Sequence, residues 1–426
     1  MDCIVNTRQF VHFLCLAILA SFASLGSAQQ ADSFNASDQS ALRSTATAAS
    51  KTKIAVLMPN ADNPLNVFAQ AIVKGIRAEN KQLSTPHEII LLPRKIGQST
   101  LSHLQDASLM GASVAIGPIT RDDVNEISEL PFLPLPVVSL NLPEDDVKSP
   151  ELLMNFSLSL EEEAKQVASM AIQSLAKENK DSLNIVLFEG ASPINQRVAN
   201  TFEQALAEES ISITRIPITK ELLTLPKLYE VKNFSSLTLG TKSLPDTAEG
   251  YENAKQYNEN LTQSFSKLGS SSYSAVFLVT DARTAALIKP RLPRDTRVWG
   301  TSMINPGNPE QSVIASLAFD LQNTGFVDAP LILRYNNQDF KASFGETPPN
   351  SLIARRLFAF GVDAYRLARL WMRWQPEITM TGTTGSLSFK KSVSANVSRI
   401  AQPAVFYHGQ IETMSADRLA HLAPRP

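Results

Sequence analysis

The chain has 426 residues, 43% hydrophobic and 19% charged, and its 39 Lys+Arg against 41 Asp+Glu leave a net charge of −2. That balance, with a pI near 6.3, argues against a polyphosphate partner such as nucleic acid, which favours a basic surface. The only cysteines, Cys3 and Cys15, stand at the N-terminus, which excludes disulfide scaffolds, structural zinc and cysteine nucleophiles from the rest.

Residues 1–28 read as a secretory signal. Arg8 supplies the charged start, Phe10 to Phe22 the apolar run, and Gly26-Ser27-Ala28 the small residues of a cleavage site. The run is short for a membrane span, which needs roughly 20 apolar residues. Cys15 lies inside it and reads as one of its apolar residues, so no lipid-attachment cysteine is evident. The expectation is an exported chain, cleaved near Ala28, with no transmembrane span in its mature part. Residues 29–52, rich in Ser, Ala, Thr and Gln, read as a disordered leader.

From Lys53 the texture changes. Ile54-Ala55-Val56-Leu57-Met58 is an apolar run of the kind a strand buried on both faces shows. Phe68, Ile72 and Ile76 follow at helical spacing. Strand runs at Ile89–Leu92, Val114–Ile116 and Val137–Val138 alternate with helical stretches around Leu101–Leu109 and Val124–Ile127. After a break at Asp145–Pro150 the pattern restarts. Leu152–Phe156 reads as a strand, and Ser159 with Glu162 as a capping box opening a helix. Strands at Ile185–Phe188, Ile211–Ile216, Ala275–Val279 and Val298–Gly300 follow, with a helix through Val198, Phe202 and Leu206. Residues 217–262 form an excursion within a gap that runs from about Pro217 to Leu268, and the end of the gap, Tyr251–Leu268, reads as a polar helix. A long helix returns through Leu357, Phe360, Gly361, Ala364 and Trp371, with Asp363 and Arg366 off its apolar face. Ser386–Phe389 reads as a strand, Ala404–Gln410 as a closing hairpin, and 413–426 as a loose tail.

Strand and helix in alternation, twice over, predict an α/β fold of two lobes, each a mostly parallel sheet with helices on both faces. The expected lobes are 53–145 plus about 303–380, and 146–302 plus about 381–412. In such sheets ligands bind beyond the carboxyl ends of the strands. The cleft candidates are therefore Asn60, Thr120, Arg121, Ser139 and Asn141 in the first unit, and Glu189, Thr280 and Asp281 in the second. Thr120 and Ser139 would offer donors to a carboxylate or amide of a small polar ligand. Each also has a plain structural use, as a helix cap or a turn.

Catalytic constellations are not evident. His87, His103, His408 and His421 show no metal-ligand spacing, and no nucleophile elbow, Walker loop or dinucleotide fingerprint occurs. Glu161-Glu162-Glu163 reads as a solvated helix face, and Arg355-Arg356 opens the long helix. No catalytic residue, cofactor or metal is expected.

Gly117-Pro118-Ile119-Thr120-Arg121-Asp122-Asp123-Val124 followed by Pro136-Val137-Val138-Ser139-Leu140-Asn141 resembles the LppC/LpoA-type penicillin-binding-protein activators. Phe156-Ser157-Leu158-Ser159 and Arg356-Leu357-Phe358-Ala359-Phe360-Gly361-Val362-Asp363-Ala364-Tyr365 strengthen it, with Gly382-Thr383-Thr384-Gly385 downstream. The resemblance implies a type I periplasmic-binding-protein-like fold in the periplasm. It also implies a non-enzymatic role in stimulating a class A penicillin-binding protein, a peptidoglycan synthase. The alternative on the same fold is a solute receptor for an amino acid, amide or peptide.

Overall fold

The apolar runs of the first half become a parallel sheet because each presents side chains to both faces. Strands β1 (Lys53–Met58), β2 (Glu88–Pro93), β3 (Ala112–Ile116), β4 (Val137–Ser139) and β5 (Leu153–Asn155) form a five-stranded sheet in the order β2-β1-β3-β4-β5. Every pairing in it is parallel. Ile54, Val56, Val114 and Ile116 pack on the buried side of α1 (Asn66–Lys81). Ala55, Leu57, Ala115 and Val137 face α2 (Thr100–Leu109) and α3 (Arg121–Ser128). This computed structural model describes residues 51–144, 149–220, 222–224, 272–307 and 312–421. The expected signal, nearly all of the leader, the polar helix at Tyr251–Leu268 and most of the 217–262 excursion lie outside the described residues.

The second half repeats the plan. α4 (Leu160–Leu175), β6 (Ile185–Glu189), α5 (Pro193–Ala207), β7 (Thr214–Pro217), β8 (Ala275–Val279), α6 (Ala282–Ile288), β9 (Arg297–Gly300), α7 (Ser312–Asp320) and β10 (Thr324–Asp328) follow one another. The chain then runs through α8 (Pro330–Arg334), α9 (Asn337–Phe344) and α10 (Leu352–Trp371). After these come β11 (Glu377–Thr381), β12 (Ser386–Lys390), β13 (Ser398–Ile400), the hairpin β14 (Gln402–Tyr407) and β15 (Gln410–Thr413), and α11 (Ala416–Ala420). The second sheet has seven strands in the order β15-β14-β10-β9-β8-β6-β7. Its closing hairpin is antiparallel and the rest parallel. Leu187, Phe277 and Trp299 pack on one face with α4 and α5, while Val186, Leu278 and Phe326 pack on the other.

Helix α10 lies against α1 and completes the first core, to which Leu387, Phe389 and Val397 of the β11–β13 region also belong. That small antiparallel sheet abuts the edge of β5, where Asn155 N–H donates to Ala395 O at 2.8 Å and Val397 N–H to Asn155 O at 2.8 Å.

Several expectations are corrected. The strand at 152–156 belongs to the first sheet, since β5 hydrogen-bonds to β4, so the crossing follows Asn155 and not the 145–150 break. Residues 312–328 lie with the second sheet, because β10 pairs with β9 and β14. Residues 386–400 lie with the first core. The tail is ordered through α11, capped by the Ser415 hydroxyl accepting from Arg418 N–H at 3.2 Å and anchored by buried Leu419. The capping box expected at Ser159 is half-formed, and so is the cap at Thr120. Thr120 and Ser159 cap their helices, but the Asp123 carboxylate turns to Arg94 and Thr100, and that of Glu162 to Lys165.

Candidate functional site

Two of the cavities among the described residues open where parallel strands end, the place an α/β sheet offers to ligands. The smaller lies at the first sheet's switch point between β1 and β3. It has a volume of about 550 Å³, and Asn60, Arg94, His103, Thr120 and Asp123 line it. Arg94 and His103 in it are already engaged. Arg94 pairs with Asp123 and donates to Gln98 O at 2.7 Å. His103 is buried, its Nε2 2.9 Å from Leu92 O. Burial pushes this imidazole below its ordinary value, with the charge of Arg94 acting in the same direction.

The larger cavity, about 840 Å³, sits beyond the carboxyl ends of β8, β9 and β10, against the starts of α4 and α10. Its floor is a network of buried charges. Arg356 grips Asp328 with two donors, Nε to Oδ1 at 2.9 Å and Nη2 to Oδ2 at 2.5 Å, and also donates to Ser302 O at 2.9 Å. Ser302 N–H donates to Glu163 Oε2 at 3.0 Å, and Glu163 Oε1 accepts from Arg399 Nη2 at 2.9 Å. Asn305 Nδ2 and Ala329 N–H complete Asp328, each at 2.7 Å. Burial alone would lower the Arg356 guanidinium, but the charge and hydrogen bonds of Asp328 more than offset it and hold it above its ordinary value. Two guanidinium groups and two carboxylates neutralise one another.

Three of these residues lie beside the places where the chain passes between the sheets, and Arg356 reaches them from α10. Glu163 follows the crossing after Asn155, Asp328 opens the crossing after β10, and Arg399 precedes the crossing after Ile400. The network is therefore a staple across the crossings.

The cleft candidates scatter. Asn60 and Thr120 line the smaller cavity and Asp281 the larger; the others line neither. Asn60 accepts from Asp62 N–H at 3.1 Å, making a turn, and Thr120 caps α3. Arg121 begins α3 behind it. Ser139 is buried and donates to Asn155 Oδ1 at 2.6 Å, and Asn141 Nδ2 donates to Ile119 O at 3.1 Å. Glu189 is paired with Arg215 at 2.7 Å, and Thr280 is buried beside Gly190. Asp281 caps α6, accepting from Arg283 and Thr284 N–H at 2.9 and 3.1 Å and from Thr284 Oγ1 at 2.7 Å. Burial opposes its charge, but those hydrogen bonds prevail and hold the carboxyl below its usual range.

Glu163, Asp328, Arg356 and Arg399 are absent from the sequence-based site, and the reading of Glu163 as a solvated residue is corrected by its burial. A signal existed for Asp328. Gly325-Phe326-Val327-Asp328 has the apolar run and acidic end that Val186-Leu187-Phe188-Glu189 shows.

A family model described as LppC putative lipoprotein matches residues 42–409. The penicillin-binding protein activator LpoA of Pectobacterium parmentieri is 26% identical over 347 residues, which cover 77% of this chain and 49% of that protein. The chain thus spans about half the length of this curated relative. Among solved structures, the C-domain of Haemophilus influenzae LpoA, a regulator of PBP1A, matches with a TM-score of 0.57 at 17% identity, over 85% of this chain and 100% of that one. A putative branched-chain amino acid ABC transporter from Chromobacterium violaceum matches with a TM-score of 0.58 at 22% identity, over 83% and 100%. Both likenesses bear on the fold, which is two-lobed and type I periplasmic-binding-protein-like.

Proposed function

The chain belongs to the LppC family, and from that membership we propose that it is a non-catalytic activator of a class A penicillin-binding protein in peptidoglycan synthesis. The observation that carries the reading is the family match over residues 42–409, joined by a relative that is itself named an activator. We place its action in the periplasm, after export and cleavage near Ala28. Among the described residues no helix is long and apolar enough to cross a membrane.

Fold alone does not decide between this reading and the solute receptor that shares it; the family match does. In the cleft the buried carboxylates of Glu163 and Asp328 pair with Arg399 and with half-buried Arg356. Activation then works by contact. A lobe pair held at a set angle docks on the synthase and favours its active conformation, through contacts stronger in that state than in the other.

Co-purification of the chain with a purified class A penicillin-binding protein tests the reading. A stable complex is expected. Failure to associate at micromolar concentrations, with both proteins folded, would remove it.

A further inference from the structure

Half-buried His87 stands just before β2, at the amino end of the first sheet and so away from both cavities. The ends of α1 and α10 fix it there. Asn80 Nδ2 donates to His87 O at 2.9 Å, and Asn80 Oδ1 accepts from His87 N–H at 2.8 Å and from the Tyr365 hydroxyl at 2.6 Å. The one hydroxyl proton of Tyr365 is thereby spent. The contact of 2.6 Å between His87 Nδ1 and Tyr365 Oη then needs its proton on Nδ1, which leaves the lone pair on Nε2.

Two cations surround this imidazole. The Arg369 guanidinium lies over the Tyr365 ring, its Cζ 5.9 Å from the centroid, and Arg373 follows just past the end of α10. Burial, then the charges of Arg369 and Arg373, hold His87 below its ordinary value, and no carboxylate among the described residues opposes them. Glu79 gives its oxygens to Arg366, at 2.8 and 2.9 Å. Glu88 and Lys53 alternate onto the other face of the sheet. Among the described residues Arg369 Nε is buried with no hydrogen-bond partner, a state that a bound ion or water relieves.

We propose that Arg369, Arg373 and His87 Nε2 bind a phosphate group that still carries one proton. The guanidinium groups donate to its oxygens, a match in geometry and charge, and the Nε2 lone pair accepts from its O–H. A phosphate monoester loses its second proton only at about pH 6, so it holds that donor in mild acid. Sulfate and carboxylate bring no proton. Either would leave Nε2 unmet or force a proton onto an imidazole that lies between two cations. The site does not depend on the synthase, so it stands or falls separately from the activator reading.

The test is calorimetric titration of the full chain at about pH 6 with inorganic phosphate and with sulfate. Phosphate is expected to bind about tenfold more tightly, the worth of one hydrogen bond to a charged group, although sulfate carries the larger charge there. Arg373→Gln, at an exposed position, should weaken phosphate by about tenfold and leave the melting temperature unchanged. Bound phosphate should also raise the His87 pKa read by NMR, since an anion favours the charged imidazole; His87→Gln identifies the signal. Sedimentation with phosphatidylcholine vesicles separates the sources of the group: retention that requires added phosphatidate assigns a lipid headgroup, and any other result a free phosphate ester. Sulfate binding as tightly as phosphate, no binding of phosphate, or an Arg373→Gln variant of undiminished affinity would each overturn the proposal.

Discussion

Asp328 and Glu163 are nearly inaccessible to water, so each depends on its guanidinium partner. Removing one member of such a pair leaves an uncompensated charge, at a cost of about 3–5 kcal/mol. Arg356→Met is therefore predicted to lower stability to urea by about that amount. Asp328→Asn added to it should recover part of the loss, because the amide carries no charge to strand. Equal stability of the single variant and the parent would show that the pair is not a staple. The histidines set a pH dependence. Burial depresses the His103 pKa, and burial with Arg369 and Arg373 depresses that of His87, both from 6.5. Below about pH 6.5 the unfolded chain takes up protons that the folded chain refuses, so stability is full above that pH and falls as pH drops toward the folded values. His103→Gln, which keeps a donor for Leu92 O, should flatten the fall in urea midpoint between about pH 7 and about pH 5; an unchanged slope would contradict the assignment. None of these roles was visible in the sequence. Glu163 sits in a run of three glutamates that reads as a solvent face, and only its helix phase, set by Ala164 and Val167 beside it, turns it inward.

The pairing of α1 with α10 depends on two glycines. A methyl group on Gly361 would stand 2.0 Å from Ile72 O, and one on Gly75 would stand 2.0 Å from Phe358 O. Each helix thus lets the other's backbone approach where any side chain would intrude. Gly→Ala inside an exposed helix stabilises by about 1 kcal/mol. Here Gly361→Ala is predicted to destabilise by about 1–3 kcal/mol or more, as overpacking does, and chemical denaturation reads the sign directly. A stabilised variant would mean the helices do not meet at this point. The elements themselves were largely legible, since buried parallel strands announce themselves as apolar runs such as Ile54–Met58 and Ala275–Val279. Sheet membership was not. A run like Leu153–Asn155 carries no mark of which neighbour it will pair with, and its place at the edge of the first sheet follows from β4 and the 395–397 segment. Asp363 likewise looked like a surface residue. It is buried beneath the 382–385 turn, accepting Thr383 N–H at 2.9 Å and Thr384 N–H at 2.7 Å.

At the scale of the whole molecule, the chain folds two open sheets and passes between them after Asn155, Asp328 and Ile400. The network of Glu163, Asp328, Arg356 and Arg399 joins those passages beneath the larger cavity. This arrangement suits a molecule whose lobes present a lasting surface to a partner. The cleft candidates separate in space because each serves its own helix or turn. Strand ends such as Thr120 and Asp281 are needed as helix caps whatever the cleft does. The most direct test is the rate of glycan-chain polymerisation by a purified class A penicillin-binding protein with and without a saturating amount of this chain. A rate that rises on addition, while the chain alone makes no glycan, is the predicted result; a rate that does not change when the two proteins are mixed would contradict the account.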